Sequence, residues 1–392
     1  MSTTSINAQQ IELLMIMEDT KFFRDMFHQI IPQKSASVLV FGYFPYISLY
    51  VLESYKYLQK IKPSFTEYVH NEYETIVRSS RTMVKLFNEH LRDINEITKS
   101  IEWLIKYHKD WFMRNHKGIF TWLKKLLQCD LGLYYYDNEL ISTTHVGFFN
   151  VGFERDNIEK YGDDFQTIMS NIAHKLGVDT GNYTSILCNN FNINASEING
   201  EYFNYTLYDD RLRYIDKKAE KYYPDIFNGP SSIALNFGLL LYEATVKFIN
   251  HIFQKISIDT PLTLFKHKFI SLYHLSASLK RFQNYFYPQG ILTKNSKECF
   301  KEILSDKELK SIVSKTDFRN ILVHYDLAKF PTHKLDLDIK LYGLIEHFFN
   351  GMSFDELNSR IDAQLARIES ILTKWHYLDT RYNNHVYPRP LM

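Results

Sequence analysis

Arg319, Asn320 and His324 stand together in the stretch Asp317-Phe318-Arg319-Asn320-Ile321-Leu322-Val323-His324-Tyr325. A guanidinium grips a phosphate at two points and neutralises charge that develops on it. An imidazole moves protons near neutral pH. An amide orients either partner without adding charge. Together these groups suit cleavage of an RNA phosphodiester, because RNA carries its own nucleophile, the 2′-hydroxyl. That reaction needs a base for the 2′-proton, an acid for the departing 5′-oxygen and positive charge at the phosphorus. It needs neither a metal nor an organic cofactor, so none is expected, and the sequence shows no carboxylate cluster beside the motif.

On a helix, Asn320 and His324 lie four apart on one face. Arg319 sits about 100° round from Asn320. Its long side chain can lean to the same end, near a helix N-terminus that itself favours an anion. Ile321 and Leu322 point elsewhere and are free to anchor the helix. The four-residue gap between Arg319 and His324, the Asn after the Arg and the aliphatic filling resemble the R-x4-6-H signature of HEPN domains. These are all-helical proteins that include many metal-independent ribonucleases.

The resemblance covers about residues 226–380. It implies a helical bundle with RNA as substrate and Arg319, Asn320 and His324 as catalytic residues. It also implies a homodimer in which two sets of Arg319 and His324 form one cleft, and a role as a bacterial toxin or anti-phage abortive-infection effector. An antitoxin or a phage-derived trigger would control it. In toxins paired with a nucleotidyltransferase antitoxin, a Tyr often stands two residues after the His. Here that place is Asp326, with Tyr325 next to the His. The alternative is a catalytically inactive HEPN-like module for dimerisation or ligand binding. Arg319 would then pair with Asp317 or Asp326, and His324 would be an ordinary hydrogen-bonded histidine. Glu243, in an apolar helix, is either a partner of Arg319 or a half-exposed helix glutamate. Arg114-Asn115-His116 and Arg381-Tyr382-Asn383-Asn384-His385 are too tightly spaced for the same pattern.

The elements that must hold the motif read mainly as helices. Apolar stripes mark residues 11–30, 72–106, 157–176, 232–253, 261–287, 337–349 and 353–375. Residues 131–152 read as two extended runs about an Asp137-Asn138 turn. Residues 177–208 read as loop, from their Asn, Gly, Thr and Ser content, and 209–222 as a charged helix. Two capping boxes stand out, Ser305 with Glu308 and Ser353 with Glu356, and Thr316 or Asp317 is expected to cap the motif helix. Gly229-Pro230-Ser231-Ser232 marks the sharpest break. It suggests a mostly helical N-terminal domain over 1–225, with minor extended segments and a sensing, RNA-binding or regulatory role. A HEPN-like bundle follows over 226–392.

Forty-six basic against 45 acidic residues give a net charge of +1, so any phosphate-binding surface is a local patch. Lys117, Lys124 and Lys125 edge one helix and read as a solvated face. Three scattered cysteines fit neither a zinc site nor a disulfide framework. The polar first ten residues do not read as a signal peptide. Residues 35–52 are uncharged and nearly long enough to span a membrane, but Gly42, Pro45 and several tyrosines and serines read as a buried core helix. The expected location is cytoplasmic, away from membranes.

Overall fold

The computed structural model describes residues 7–30, 33, 36–80, 85–86, 93–114, 129–152, 165–193, 211–223, 226–229, 232–256, 260–376 and 389–390. The fold is mainly α-helical, as the periodicity predicts. Its N-terminal helices are α1 (Ala8–Ile30), α2 (Ala36–Ile61), α3 (Pro63–Tyr68), α4 (His70–Ser80) and α5 (Ile94–Arg114). After the hairpin β1 (Leu131–Tyr136) and β2 (Glu139–Thr143) come α6 (Thr144–Asn150), α7 (Phe165–Asn190), β3 (Leu212–Lys217) and α8 (Ala219–Tyr222). Helix α9 (Ser232–Phe248) runs on through a π-helical turn (Ile249–Phe253). Then follow α10 (Pro261–Phe286), α11 (Lys294–Leu304), α12 (Lys307–Val313), the motif helix α13 (Thr316–His324), α14 (Leu344–Phe348), α15 (Phe354–His376) and a short β4 (Arg389–Pro390).

Helices α9, α10 and α15 form the centre of the C-terminal half. Tyr242 of α9 bonds Ser278 of α10, while Phe253 near the far end of α9 meets His267, so the two run antiparallel. The same logic makes α15 antiparallel to α9, because Thr373 reaches Glu243 and Glu369 takes bonds from Asn250 and His251. Helix α13 lies against α10 through Phe318, whose ring meets Phe269 at 5.0 Å and Phe349 at 5.2 Å. Burying such a ring contributes about 1.5–3 kcal/mol. One apolar core continues from these helices into α1, α2 and α7.

Helix α2 is long and strongly apolar. Over Val38–Ile61 it is long and apolar enough to cross a membrane, and 83% of its most apolar window is buried inside the protein. Gly42 lets the Phe248 ring of α9 lie directly on the α2 backbone, where a Cβ would collide with it.

Several expectations need correction. Residues 177–190 are helical, not loop. Buried Leu176, Thr180, Tyr183 and Leu187 form a stripe against α1 and α4 that outweighs the helix-poor composition. Residues 212–217 are strand rather than charged helix, because β1 has a free edge and captures them from Leu131↔Lys217 to Tyr136↔Leu212. The 72–106 stripe is two helices, one ending at Ser80 and the next starting at Ile94. In 337–349 a short 3-10 turn precedes α14, and Gly343 (φ +81) passes so close to Lys334 O that a Cβ would meet it at 2.7 Å. Asp306, not Ser305, caps α12 by accepting from Leu309 N. Helix α13 starts after Lys315, without a side-chain cap from Thr316 or Asp317. Ser353 does accept from Glu356 N. The hairpin is as expected, with Asp137 and Asn138 both at positive φ as a type I′ turn requires. Lys117, Lys124, Lys125, Pro230 and residues 381–385 lie outside the described residues.

Three buried histidines give the fold a pH dependence. Burial holds His108 and His267 at about 3 and pushes His145 well below the usual imidazole value. His145 joins Tyr223 and His108 in a buried hydrogen-bonded row, whereas neither ring nitrogen of His267 has a partner among Phe22, Phe23, Tyr46 and Phe253. Each folded pKa lies below the unfolded value of about 6.5, so below that pH the unfolded chain binds protons that the native protein excludes. Stability should therefore hold level above about pH 7 and fall below it, by up to roughly 1.4 kcal/mol per pH unit for each histidine. Thermal melts from pH 8 to pH 5 check this; a melting temperature constant across that range would contradict it.

Candidate active site

Phe318, Ile321, Leu322 and Val323 are buried and fix α13 on the core, which leaves Arg319, Asn320 and His324 toward its outer side. Asn320 and His324 open into one cleft of about 650 Å³ between α13 and the end of α2. Lys56 and Lys60 of α2 and Lys329 beyond the motif line it too, with Phe330 and Phe348 as apolar wall. Three lysines thus stand near His324 on the cleft wall. Three carboxylates also line the cleft, Glu53, Asp317 and Asp326. Asp317 and Asp326 flank the motif in the sequence, whereas Glu53, which the sequence reading missed, comes from 271 residues away.

Arg319 is not on the cleft wall. Its Nη1 donates to Asn320 Oδ1 at 2.9 Å, and its Nη2 donates to His274 Nε2 of α10 at 3.1 Å. The guanidinium also lies over the Tyr273 ring, 5.5 Å from its centre. Burial lowers its pKa, against the opposing pull of Tyr273 and Glu53. Asn320 thus links the two halves of the motif, one side facing the cleft and its amide oxygen holding Arg319. Arg319 pairs with neither Asp317 nor Asp326, and Glu243 is elsewhere. Glu243 is almost fully buried and bonded to Lys247, Thr373 and His376; burial raises its pKa, but His376 and Lys247 outweigh that and hold its carboxyl below the usual range. It is neither a partner of Arg319 nor half-exposed.

His324 ends α13 with its side chain 44% exposed, and its Nδ1 lies 2.7 Å from Glu53 Oε2. Burial opposes ionisation of Glu53, but the hydrogen bond and charge of His324, with Lys56 and Lys266, outweigh it and hold its pKa below the usual value.

The chain matches no protein-family model, no curated protein and no solved structure.

The residue after the motif is held most firmly. Tyr325 caps α13 in the left-handed region (φ 52), an uncommon conformation for a bulky residue, and is fully buried. Its hydroxyl donates to Asp19 Oδ2 of α1 at 2.5 Å. Lys266 reaches the same oxygen at 2.5 Å and lies over the Tyr325 ring, and Thr263 donates to Asp19 Oδ1 at 2.8 Å. Burial lowers the pKa of Lys266, against the pull of Asp19. Two residues on, Glu12 of α1 accepts from Leu327 N and from the Tyr57 hydroxyl, both at 2.7 Å. The sequence reading missed Glu12, Asp19, Glu53 and His274. Their one visible signal was polarity inside apolar helical stripes, and nothing local pointed from there to the motif.

Among the described residues, one group has metal-ligand chemistry: Glu139, His251 and Glu369. It lies on β2, the π-helical turn and α15, away from the motif helix. Lys247 already sits 2.8 Å from Glu139, and Asn250 and His251 satisfy Glu369.

Replacing Asp19 with Ala leaves the buried Lys266 ammonium and the Tyr325 hydroxyl without their acceptor. The expected loss is about 3–5 kcal/mol, the usual result of breaking a buried pair. Tyr325→Phe, which removes a single hydroxyl, should cost about 0.5–1.5 kcal/mol. Denaturant unfolding of both variants measures this, and an Asp19→Ala loss below about 1 kcal/mol would show that the pair adds little.

Proposed function

We propose that this protein is a metal-independent endoribonuclease of the HEPN type, acting in the cytoplasm as a homodimer. A bacterial toxin or anti-phage effector is the role that fits such an activity, with an antitoxin or a phage-derived trigger to control it. The observation that supports the reading is the cleft itself. An exposed imidazole backed by a carboxylate, an amide and three lysines share one opening on the end of a helical bundle. His324 is the proton acceptor for the 2′-hydroxyl. The 2′-oxygen attacks phosphorus, the bond to the 5′-oxygen breaks, and the products carry a 2′,3′-cyclic phosphate and a 5′-hydroxyl. The lysines neutralise neighbouring phosphates, and Arg319 stabilises the pentacovalent phosphorus once its side chain swings from His274 to the cleft.

The second reading, a non-catalytic module for dimerisation or ligand binding, draws support from that same arginine. Its bonds to Asn320 and His274 keep it off the cleft wall. The fully buried Tyr325 hydroxyl, bonded to Asp19, is a poor target for enzymatic modification in either reading.

RNA cleavage with EDTA present separates the two. His324→Ala and Arg319→Ala should each lower the rate by about 10²–10⁴-fold without unfolding the protein, and Asn320→Ala should be milder. A substrate with 2′-deoxyribose at the scissile position should resist. Cleavage of that substrate, or full activity in His324→Ala, rules the mechanism out.

The assembly has its own check. Light scattering at micromolar concentration should give twice the chain mass. A monomer that still cleaves RNA would show that a single cleft suffices.

A further inference from the structure

His324 is the last residue of its helix and is partly open to solvent. Such a ring is free to turn and to carry its proton on either nitrogen, and only one arrangement offers a lone pair to a substrate. Something must choose it. Glu53 Oε2, 2.7 Å from Nδ1, is placed to do so. Its side chain is only 8% exposed, so its carboxylate is shielded where it meets the ring. The backbone that carries it is rigid: α2 is buried along Phe44–Ser54, and Ser54 beside Glu53 bonds Tyr50 O and the Tyr183 hydroxyl. An ionised carboxylate only accepts hydrogen bonds, so a neutral His324 must donate from Nδ1 and leave Nε2 bare. On α2, Glu53, Lys56 and Lys60 follow at i, i+3 and i+7, which places all three on one face, and all three line the cleft.

We propose that Glu53 is the positioning residue for His324, and that α2 of the N-terminal region is thereby a structural part of the reaction site. Glu53 fixes the Nδ1–H tautomer and the ring plane, presents Nε2 to the cleft and stabilises the imidazolium that forms when Nε2 takes a proton. The chemistry rests on the ribonuclease reading. The 2′-hydroxyl proton passes to Nε2, the freed electron pair forms the O2′–P bond, and the P–O5′ bond breaks. The 5′-oxygen takes a proton from water, and the imidazolium returns its proton to solvent. Lys56 and Lys60, carried on the same helix face, hold the flanking phosphates in register with that nitrogen.

The test uses the full-length chain labelled with ¹⁵N-histidine, with His324→Gln to identify the signal. At pH 8 the wild type should show His324 with its proton on Nδ1. Glu53→Ala should move the proton largely to Nε2, and should lower kcat for RNA cleavage by at least about tenfold with KM little changed. Glu53→Gln keeps an acceptor but no charge. It should retain the tautomer yet lose part of kcat, and Glu53→Asp should recover part of the Glu53→Ala loss. If Glu53→Ala does not fold, Glu53→Gln carries the rate comparison alone, and a wild-type kcat there counts against the proposal. A His324 signal unchanged in Glu53→Ala, or a loss confined to KM, overturns it. If the wild type cleaves no RNA, the ribonuclease reading falls while the tautomer measurement still decides the role of Glu53.

Discussion

The Asp19 carboxylate is the point on which the arrangement around the motif turns. It accepts from Thr263, Lys266 and Tyr325, so one buried anion ties α1, α10 and the end of α13 together. A carboxylate and an ammonium taken out of water are costly unless every lone pair and proton is used. Here the third donor is the hydroxyl of a tyrosine in a left-handed backbone conformation. That bond acts together with the burial of the ring under Lys266 to hold Tyr325, and so the direction of the chain leaving His324. Geometry at the cleft is therefore set partly by a charge pair that never touches it.

A second constraint is aromatic. Phe318 sits among Phe269, Phe348 and Phe349, and this cluster fixes the rotation of α13 about its own axis. That rotation decides which of the motif residues face outward. It directs Asn320 and His324 to the cleft and sends Arg319 toward Tyr273 and His274, consistent with the roughly 100° step between neighbouring helix positions. The guanidinium is long enough to bridge that angle, but in the structure its hydrogen bonds run the other way.

Much of this was legible in the sequence. The three long C-terminal helices declared themselves through Leu, Phe and Ile at helical spacing, and Asp137-Asn138 announced its hairpin. The anchoring role of Ile321 and Leu322 followed from periodicity alone. Tertiary pairing was not legible. Residues 212–217 carry enough charge to read as helix, and only the free edge of β1 makes them a strand. Gly177 and Gly181 disguised a helix whose buried stripe becomes apparent only against its neighbours. Of the three candidates named from a spacing that resembles a family signature, Asn320 and His324 line the cleft and Arg319 does not, whereas Glu53 read only as the polar bracket of an apolar run. No local pattern links residues that far apart.

That separation bears on how the molecule comes into being. Contacts between residues this distant close a very long loop, and such contacts form late and slowly in folding. During synthesis, α2 leaves the ribosome long before the helix that carries His324, and it must bury its apolar surface provisionally in the meantime. The imidazole meets its carboxylate only when both α2 and α13 have been made and docked. A nascent chain, or one cut short before α13, holds half of each pairing and none of the assembled cleft. Assembly of the cleft from two segments so far apart in sequence amounts to a built-in delay.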